Sequence, residues 1–439
     1  MSHQARKKTV AITTLGCKVN QYESASFASR FEEQGLEVVA FGSSADICVI
    51  NSCAVTAKAG AQSRQLIRQA LRANPEARVV VTGCYAQVAA QEVLDLTSQP
   101  ICLVGNENKH LLVEIAMSRK MCDLEIFAGD ISTKQEICDL RVRRFPGRTR
   151  CYLKIQDGCN NFCSYCIVPY ARGRSRSLSL DRIKEQVAVF VGEGYRELVL
   201  TGIHVGLYGQ DLHPATSLLE LVRGLAADEK GLRYRISSLE PGELSPELLA
   251  LLVASPQFMP HFHLPLQSGS PAILQRMRRN YTVEQFVRVV EMILTAMPEA
   301  AIGLDVLTGF PGEDEGQFLQ TLRLIEGLAI SYLHVFPYSK RPGTSAATMP
   351  EQVPGPLKEE RAALLTAVGR QKRRDFYARQ IGTVQRVLAE GGKNPYKMMK
   401  GFTENYVPVY FEAQTSHENQ IVTVQIERVE DSKVFGRLV

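Results

Sequence analysis
Two hydrophobic rhythms divide the chain. Through the first 120 residues, short apolar runs alternate with segments of helical period. TVAITTLGC, DICVINSC, RVVVTGC and ICLVGN read as strands, and ESASFASRFEEQG, AGAQSRQLIRQALRANP, QEVLDL and ENKHLLVEIAMS as helices. Strands that alternate with helices imply a doubly wound parallel sheet, so residues 7–120 form an α/β domain. The stretch from Met121 to Arg150 carries the Pro146-Gly147 turn pair and is a connector, with a boundary near Phe145.

From residue 145 to 374 the alternation resumes. RCYLKIQDG, RELVLTG, LRYRISSLE, MPHFHLPL, AIGLDVLTG and YLHVFPYS are six strands with helical stretches between them. Six such units suggest an open (β/α)6 partial barrel, whose site would lie at the C-terminal strand ends. Those ends are polar or permissive: Gly202 and His204, Ser238 and Glu240, Gln267, and Gly309. After the connector KRPGTSAATMPEQVPGP and a long basic helix, the rhythm becomes β-rich. Residues 375–439 suggest a small antiparallel β-barrel.

With 45% hydrophobic residues the chain can build real cores. The net charge is +5, but its distribution matters more. Nine Arg or Lys lie between Arg141 and Arg176 against Asp157. Eight lie between Gln371 and Gly401 against Asp375 and Glu390, and Lys393, Lys397 and Lys400 there mix with Tyr396, Phe402 and Tyr406. Such clusters suggest a polyanion such as RNA, bound by stacking and phosphate contacts. No signal peptide or membrane-length apolar run is visible, so a cytoplasmic protein is expected.

Eleven cysteines in that setting argue against a disulfide framework. Cys159, Cys163 and Cys166 stand at Cys-x3-Cys-x2-Cys spacing. Three thiolates this close can hold an iron–sulfur cube with one iron left open. Zinc is the rival, though it prefers four ligands. Cys151 alternates with a strand and is taken as core. Cys17, Cys53 and Cys84 each lie just past a strand end, where ligands bind in open α/β sheets, so they can converge on a second cluster. Cys48 and Cys102 read as core, and Cys122 and Cys138 carry no spacing signal. His261 and His263 share a strand face, but with no third nitrogen or carboxylate in register they are expected to hydrogen bond. Asp305 and Glu313 are not expected to form an acid/base pair.

The motifs TLGCKVNQYES, INSCAVT, VTGCYAQ, DGCNNFCSYCIVPYARGRSRS, HLPLQSGS and GFPGE together resemble the radical S-adenosylmethionine (radical SAM) methylthiotransferases. GFTENYVPVYF resembles their RNA-binding TRAM domain. The Cys17 motif is most similar to the MtaB-type branch, which acts on threonylcarbamoyladenosine at tRNA position 37. Sister branches act on isopentenyladenosine in tRNA or on a ribosomal-protein aspartate.

The resemblance implies two [4Fe-4S] clusters and S-adenosylmethionine. Cys159, Cys163 and Cys166 would hold the cluster that cleaves S-adenosylmethionine to a 5′-deoxyadenosyl radical. Cys17, Cys53 and Cys84 would hold an auxiliary cluster that carries the inserted sulfur. Gly202, His204, Ser238, Glu240, Gln267 and Gly309 would bind S-adenosylmethionine. The anticodon loop would be the partner, with a flavodoxin-type electron donor. The threonylcarbamoyl group carries a carboxylate, for which Arg172, Arg174 and Arg176 are candidates. The competing class is a non-catalytic RNA-binding protein with structural zinc.

Overall fold
In a computed structural model the described residues are 6–118, 124–228, 231–391 and 396–439. The first sheet is fully parallel. Its strands are β1 (Thr9–Thr14), β2 (Glu37–Val39), β3 (Ile47–Ser52), β4 (Arg78–Gly83), β5 (Ile101–Val104) and β6 (Leu124–Phe127), in the order β2-β1-β3-β4-β5-β6. β3 is buried along its whole length because helices cover both faces, which explains its continuous apolar run.

Two features differ from the sequence reading. β6 pairs with β5, so the sheet extends into the segment read as connector. The first helix starts at Lys18, directly after Cys17, rather than at Glu23. Its first turn carries Val19, Asn20 and Tyr22, all buried, so packing sets the start where no capping side chain marks it.

The second unit has six parallel strands: β7 (Arg150–Lys154), β10 (Glu197–Thr201), β11 (Arg233–Ile236), β12 (His261–Gln267), β13 (Ala301–Thr308) and β14 (Tyr332–Pro337). They run as β7-β10-β11 and β12-β13-β14. The Leu239 amide donates to the His263 carbonyl at 3.0 Å and joins the halves into an open barrel. Between β7 and β10, β8 (Gln156–Asp157) and β9 (Arg176–Ser177) pair antiparallel and clamp the ends of the cysteine loop.

One hydrophobic core runs through both units. Phe145, at the expected boundary, is buried with Tyr22, Tyr152 and Phe190 around it. The chain crosses a boundary there, but the packing does not.

The helix Gly355–Ala378 packs on β14 and leads to a closed barrel of β15 (Val384–Glu390), β16 (Met399–Thr403), β17 (Pro408–Phe411), β18 (Ile421–Glu430) and β19 (Lys433–Leu438). Every pair is antiparallel except β17 with β19. This barrel docks on the central unit: Arg150 pairs with Glu390 at 2.7 Å, and Arg235 donates to the Thr403 and Glu404 carbonyls. Among the described residues no helix is long and apolar enough to cross a membrane.

Candidate active site
The loop that carries Cys159, Cys163 and Cys166 is held by backbone. Cys159 N–H donates to the Gly173 carbonyl and Cys166 N–H to the Cys163 carbonyl. Gly158 has φ +77°, and a Cβ there would lie 1.9 Å from the Arg174 carbonyl oxygen, so only glycine closes the loop. Each thiol is attended. Cys159 Sγ is 3.4 Å from His204 Nδ1, and His204 Nε2 meets Glu243. Burial alone would lower the His204 pKa, but these two partners raise it to about 10. Arg279 Nη1 donates to Cys163 Sγ at 3.3 Å, while its Nη2 lies 2.8 Å from Glu240. Burial pushes the Cys163 thiol up, and Arg279 opposes that. Burial also raises Cys166, to about 12.

The second trio comes from three strands. Cys17 follows β1 by a short turn, Cys53 follows β3, and Cys84 follows β4. Gly16 has φ +97°, and a Cβ there would approach Cys53 Sγ to 2.9 Å. Burial and the field of Cys84 and Cys17 raise Cys53 to about 11. The three thiols lie near enough to act on one another's charge at one edge of the sheet. Three soft sulfurs, with glycine where a side chain would crowd them, fit an iron–sulfur cube with an open corner.

The two trios are joined by buried charge. Arg172 Nη1 lies 3.0 Å from Glu23 and 2.8 Å from Asp157. Lys109 meets Glu23, and Lys154 lies 3.5 Å from Asp157. Glu23 and Lys109 belong to the first unit, and Lys154, Asp157 and Arg172 to the second. Burial alone would raise the Glu23 pKa, but Arg172, Lys109 and Lys154 outweigh it and hold it at about 2. Three cations face two carboxylates, so one positive charge is left over. Arg172 also feels Cys84 and Cys17.

This geometry removes two substrate candidates. Arg172 is 1% exposed and spent on Glu23, Asp157 and Asn20. Arg176 is buried and donates to the Arg172 and Arg174 carbonyls. The reading from sequence saw a basic run but not the acids the fold brings to it. Arg174 is exposed and lies over the Phe162 ring at 4.7 Å. Arg143 and Arg144 likewise pair with Glu193 and Glu32. In the tail, Phe402 and Tyr406 stack on each other and take the Arg150 guanidinium, so they serve the interface between units. Lys393 lies outside the described residues, as does Cys122. Cys48, Cys102 and Cys151 are buried, and Cys138 Sγ is 3.7 Å from His110 Nδ1.

The remaining strand-end residues divide. His204 reaches the cysteine loop directly, and Glu240 does so through Arg279. Gly202 packs on Gln156, whose Oε1 accepts from the His204 amide. Ser238 meets His263 at 2.6 Å, and Gln267 sits at a register shift with φ +61°. Gly309 turns at φ +68°, and its amide donates to Glu313, which Arg361 holds. The expectation for His263 needs correction. Asp305 Oδ1 accepts from His263 Nε2 at 3.0 Å and from His334 Nδ1 at 3.1 Å, so a carboxylate and a third nitrogen are in register. They come from neighbouring strands that are distant in sequence. Arg279, Glu243 and the five-charge network were also missed. Arg279 sits in an ordinary basic run, MRRN, with no spacing signal.

The sequence matches the Radical SAM superfamily over residues 153–325 and the Uncharacterized protein family UPF0004 over residues 9–105. It is 39% identical over 95% of its length, and 93% of the relative's, to "Threonylcarbamoyladenosine tRNA methylthiotransferase MtaB" of Bacillus subtilis (strain 168). The chain belongs to the radical SAM methylthiotransferase family. A second member, from Aquifex aeolicus (strain VF5) and of the same name, is 39% identical over 91% of this chain and 96% of its own. A "tRNA-2-methylthio-N(6)-dimethylallyladenosine synthase" of Acetivibrio thermocellus is 31% identical over 99% of this chain and 92% of its own. Among solved structures the fold is similar to the radical S-adenosylmethionine methyltransferase TsrM of Kitasatospora setae, with TM-score 0.57 and 16% identity over 78% of this chain and 77% of that one. As a family member the protein uses [4Fe-4S] clusters and S-adenosylmethionine.

Proposed function
We propose that the protein is a tRNA methylthiotransferase that adds a methylthio group to carbon 2 of threonylcarbamoyladenosine at position 37, in the anticodon loop. One observation carries the reading: two thiol trios, one local and one gathered from three strand ends, share a single buried ionic link in a chain 39% identical to MtaB relatives. In this reading Cys159, Cys163 and Cys166 hold the cluster that engages S-adenosylmethionine, and Cys17, Cys53 and Cys84 hold the auxiliary cluster. The cofactors supply one-electron chemistry, sulfur and a methyl group, which an aromatic C–H without an acidic proton requires.

The chain's own residues bind and orient. Arg279 and His204 place positive charge beside Cys163 and Cys159, which favours their thiolates. Glu243 and Glu240 fix those two cations. Arg172, Glu23 and Asp157 hold the first unit against the barrel, so the two trios keep a fixed relation. A one-electron carrier such as a flavodoxin reduces the enzyme, which works in the cytoplasm. The structure-only rival, a zinc-bound RNA-binding protein, predicts colourless protein and no S-adenosylmethionine cleavage. Mass spectrometry of tRNA nucleosides tests the reading: a deletion strain lacks the methylthio form of threonylcarbamoyladenosine, and the wild-type gene restores it. Persistence of that nucleoside in the deletion strain rejects the assignment.

A further inference from the structure
A cavity of about 390 Å³ lies where the start of the helix Lys18–Glu33, the central barrel and the C-terminal barrel meet. That volume suits a small ligand group. Its wall carries four cations, Lys18, Arg148, Arg150 and Arg235, against the carboxylate of Glu390. Two of the four are committed. Arg150 pairs with Glu390 and lies 4.0 Å from the Phe402 ring centre. Arg235 pairs with Glu197 at 2.7 Å and with two backbone carbonyls. Arg148 has one neutral partner, the Tyr152 hydroxyl at 3.0 Å.

Lys18 differs from all three. It is half-buried, and among the described residues no hydrogen bond or ion pair engages its ammonium. Burial disfavours its charge, and the groups that offset this, Tyr406 and the Asp305 carboxylate, act on it without a hydrogen bond, so a ligand that brings a negative charge into contact is favoured. It follows Cys17 directly, so a group bound to it lies beside the Cys17, Cys53 and Cys84 trio. His261, Tyr332 and Tyr406 line the same cavity; His261 Nε2 lies 2.8 Å from the Tyr332 hydroxyl, and its ring is tilted 37° to that of Tyr406. Aromatic rings and a cation in one cavity suit a planar carbamoyl group that leads to a carboxylate.

We infer that Lys18, with Arg148 beside it, binds the carboxylate of the threonylcarbamoyl group and so sets which modified adenosine the enzyme accepts. The inference rests on the substrate reading above. It explains why Arg172 and Arg176 can be spent internally: the carboxylate is read from the N-terminal unit, not from the cysteine loop. A dimethylallyl group in the same place would leave Lys18 unpaired, which disfavours that substrate.

The test uses anaerobically reconstituted full-length enzyme and three anticodon stem-loops of one sequence. They bear threonylcarbamoyladenosine, its methyl ester, or plain adenosine. Fluorescence anisotropy gives each Kd, and product analysis gives kcat/KM. Wild-type enzyme should bind the acid about tenfold to a hundredfold more tightly than the ester, the worth of one charged hydrogen bond. Lys18→Gln and Lys18→Met should both lose that preference, and Lys18→Arg should keep most of it. Iron content checks that each variant loads its clusters. Equal binding of acid and ester by wild type overturns the inference. So does a preference that survives in either neutral variant, in which case the substrate reading stands. If wild type fails to methylthiolate the acid stem-loop at all, the substrate reading itself falls first.

Discussion
The two thiol trios are brought together by opposite routes. Cys159, Cys163 and Cys166 lie within eight residues, on a loop whose ends β8 and β9 clamp. Cys17, Cys53 and Cys84 come from three separate βα turns and meet only because β1, β3 and β4 are neighbours in one sheet. The first is a property of a short peptide, the second of a folded domain. Their surroundings differ accordingly. The loop thiols face Arg279 and His204 one by one, whereas the strand-end thiols share the surplus charge of a five-member network. A local motif can be tuned residue by residue. A gathered one inherits the stability of everything that gathers it.

The sharpest way to break this comparison is to remove one thiol from each trio. Cys163→Ala should abolish both 5′-deoxyadenosine formation and methylthiolated product. Cys53→Ala should abolish the product while 5′-deoxyadenosine still forms, and each variant should carry roughly half the wild-type iron. Loss of 5′-deoxyadenosine formation in Cys53→Ala would mean that the trios do not act separately.

A smaller effect is expected at the link between them. Arg172→Met removes the bridge between Glu23 and Asp157 and leaves them to Lys109 and Lys154, and urea unfolding should show a loss of roughly 1.5–3 kcal/mol, the range of a hydrogen bond to a charged group. Arg172→Lys should not rescue it, because an ammonium lacks the second guanidinium nitrogen that reaches Asn20 and the other Glu23 oxygen. A loss below about 1 kcal/mol, the range of an exposed pair, would show that the units are held by apolar packing alone.

The smallest effect is on pH. Glu23 is held at about 2 in the folded protein, below its ordinary value of about 4.3. A carboxylate depressed in this way stabilises the fold above its unfolded pKa, and that contribution fades as pH falls toward the folded one. Unfolding free energies of wild type should therefore drop between pH 5 and pH 3. Glu23→Gln starts less stable but should show a drop shallower by on the order of 1 kcal/mol. Parallel pH curves for the two proteins would count against the network.

What could be read from the sequence follows the same division. The six strands of the central unit and the cysteine loop were legible because period and spacing are local. The placement of Cys17, Cys53 and Cys84 after neighbouring strand ends was legible because strand-end position in a parallel sheet is a strong topological rule. β6 and the true start of the first helix were not, since neither carries a cap or a clear period. Charge was the least legible quantity. Arg172 and Arg176 sit in a run that looks free, and their partners Glu23, Asp157 and two carbonyls are supplied by folding. Lys18 lies inside the TLGCKVNQYES motif, yet that its ammonium has no hydrogen-bonded acid among the described residues is visible only in three dimensions.

The C-terminal barrel contributes Glu390 and Tyr406 to a chamber that Lys18 also lines. During synthesis Lys18 leaves the ribosome early and Tyr406 very late. A nascent or prematurely terminated polypeptide can already own every thiol of both trios and still lack the enclosure. Recognition, unlike sulfur ligation, then has to wait for the complete translation product.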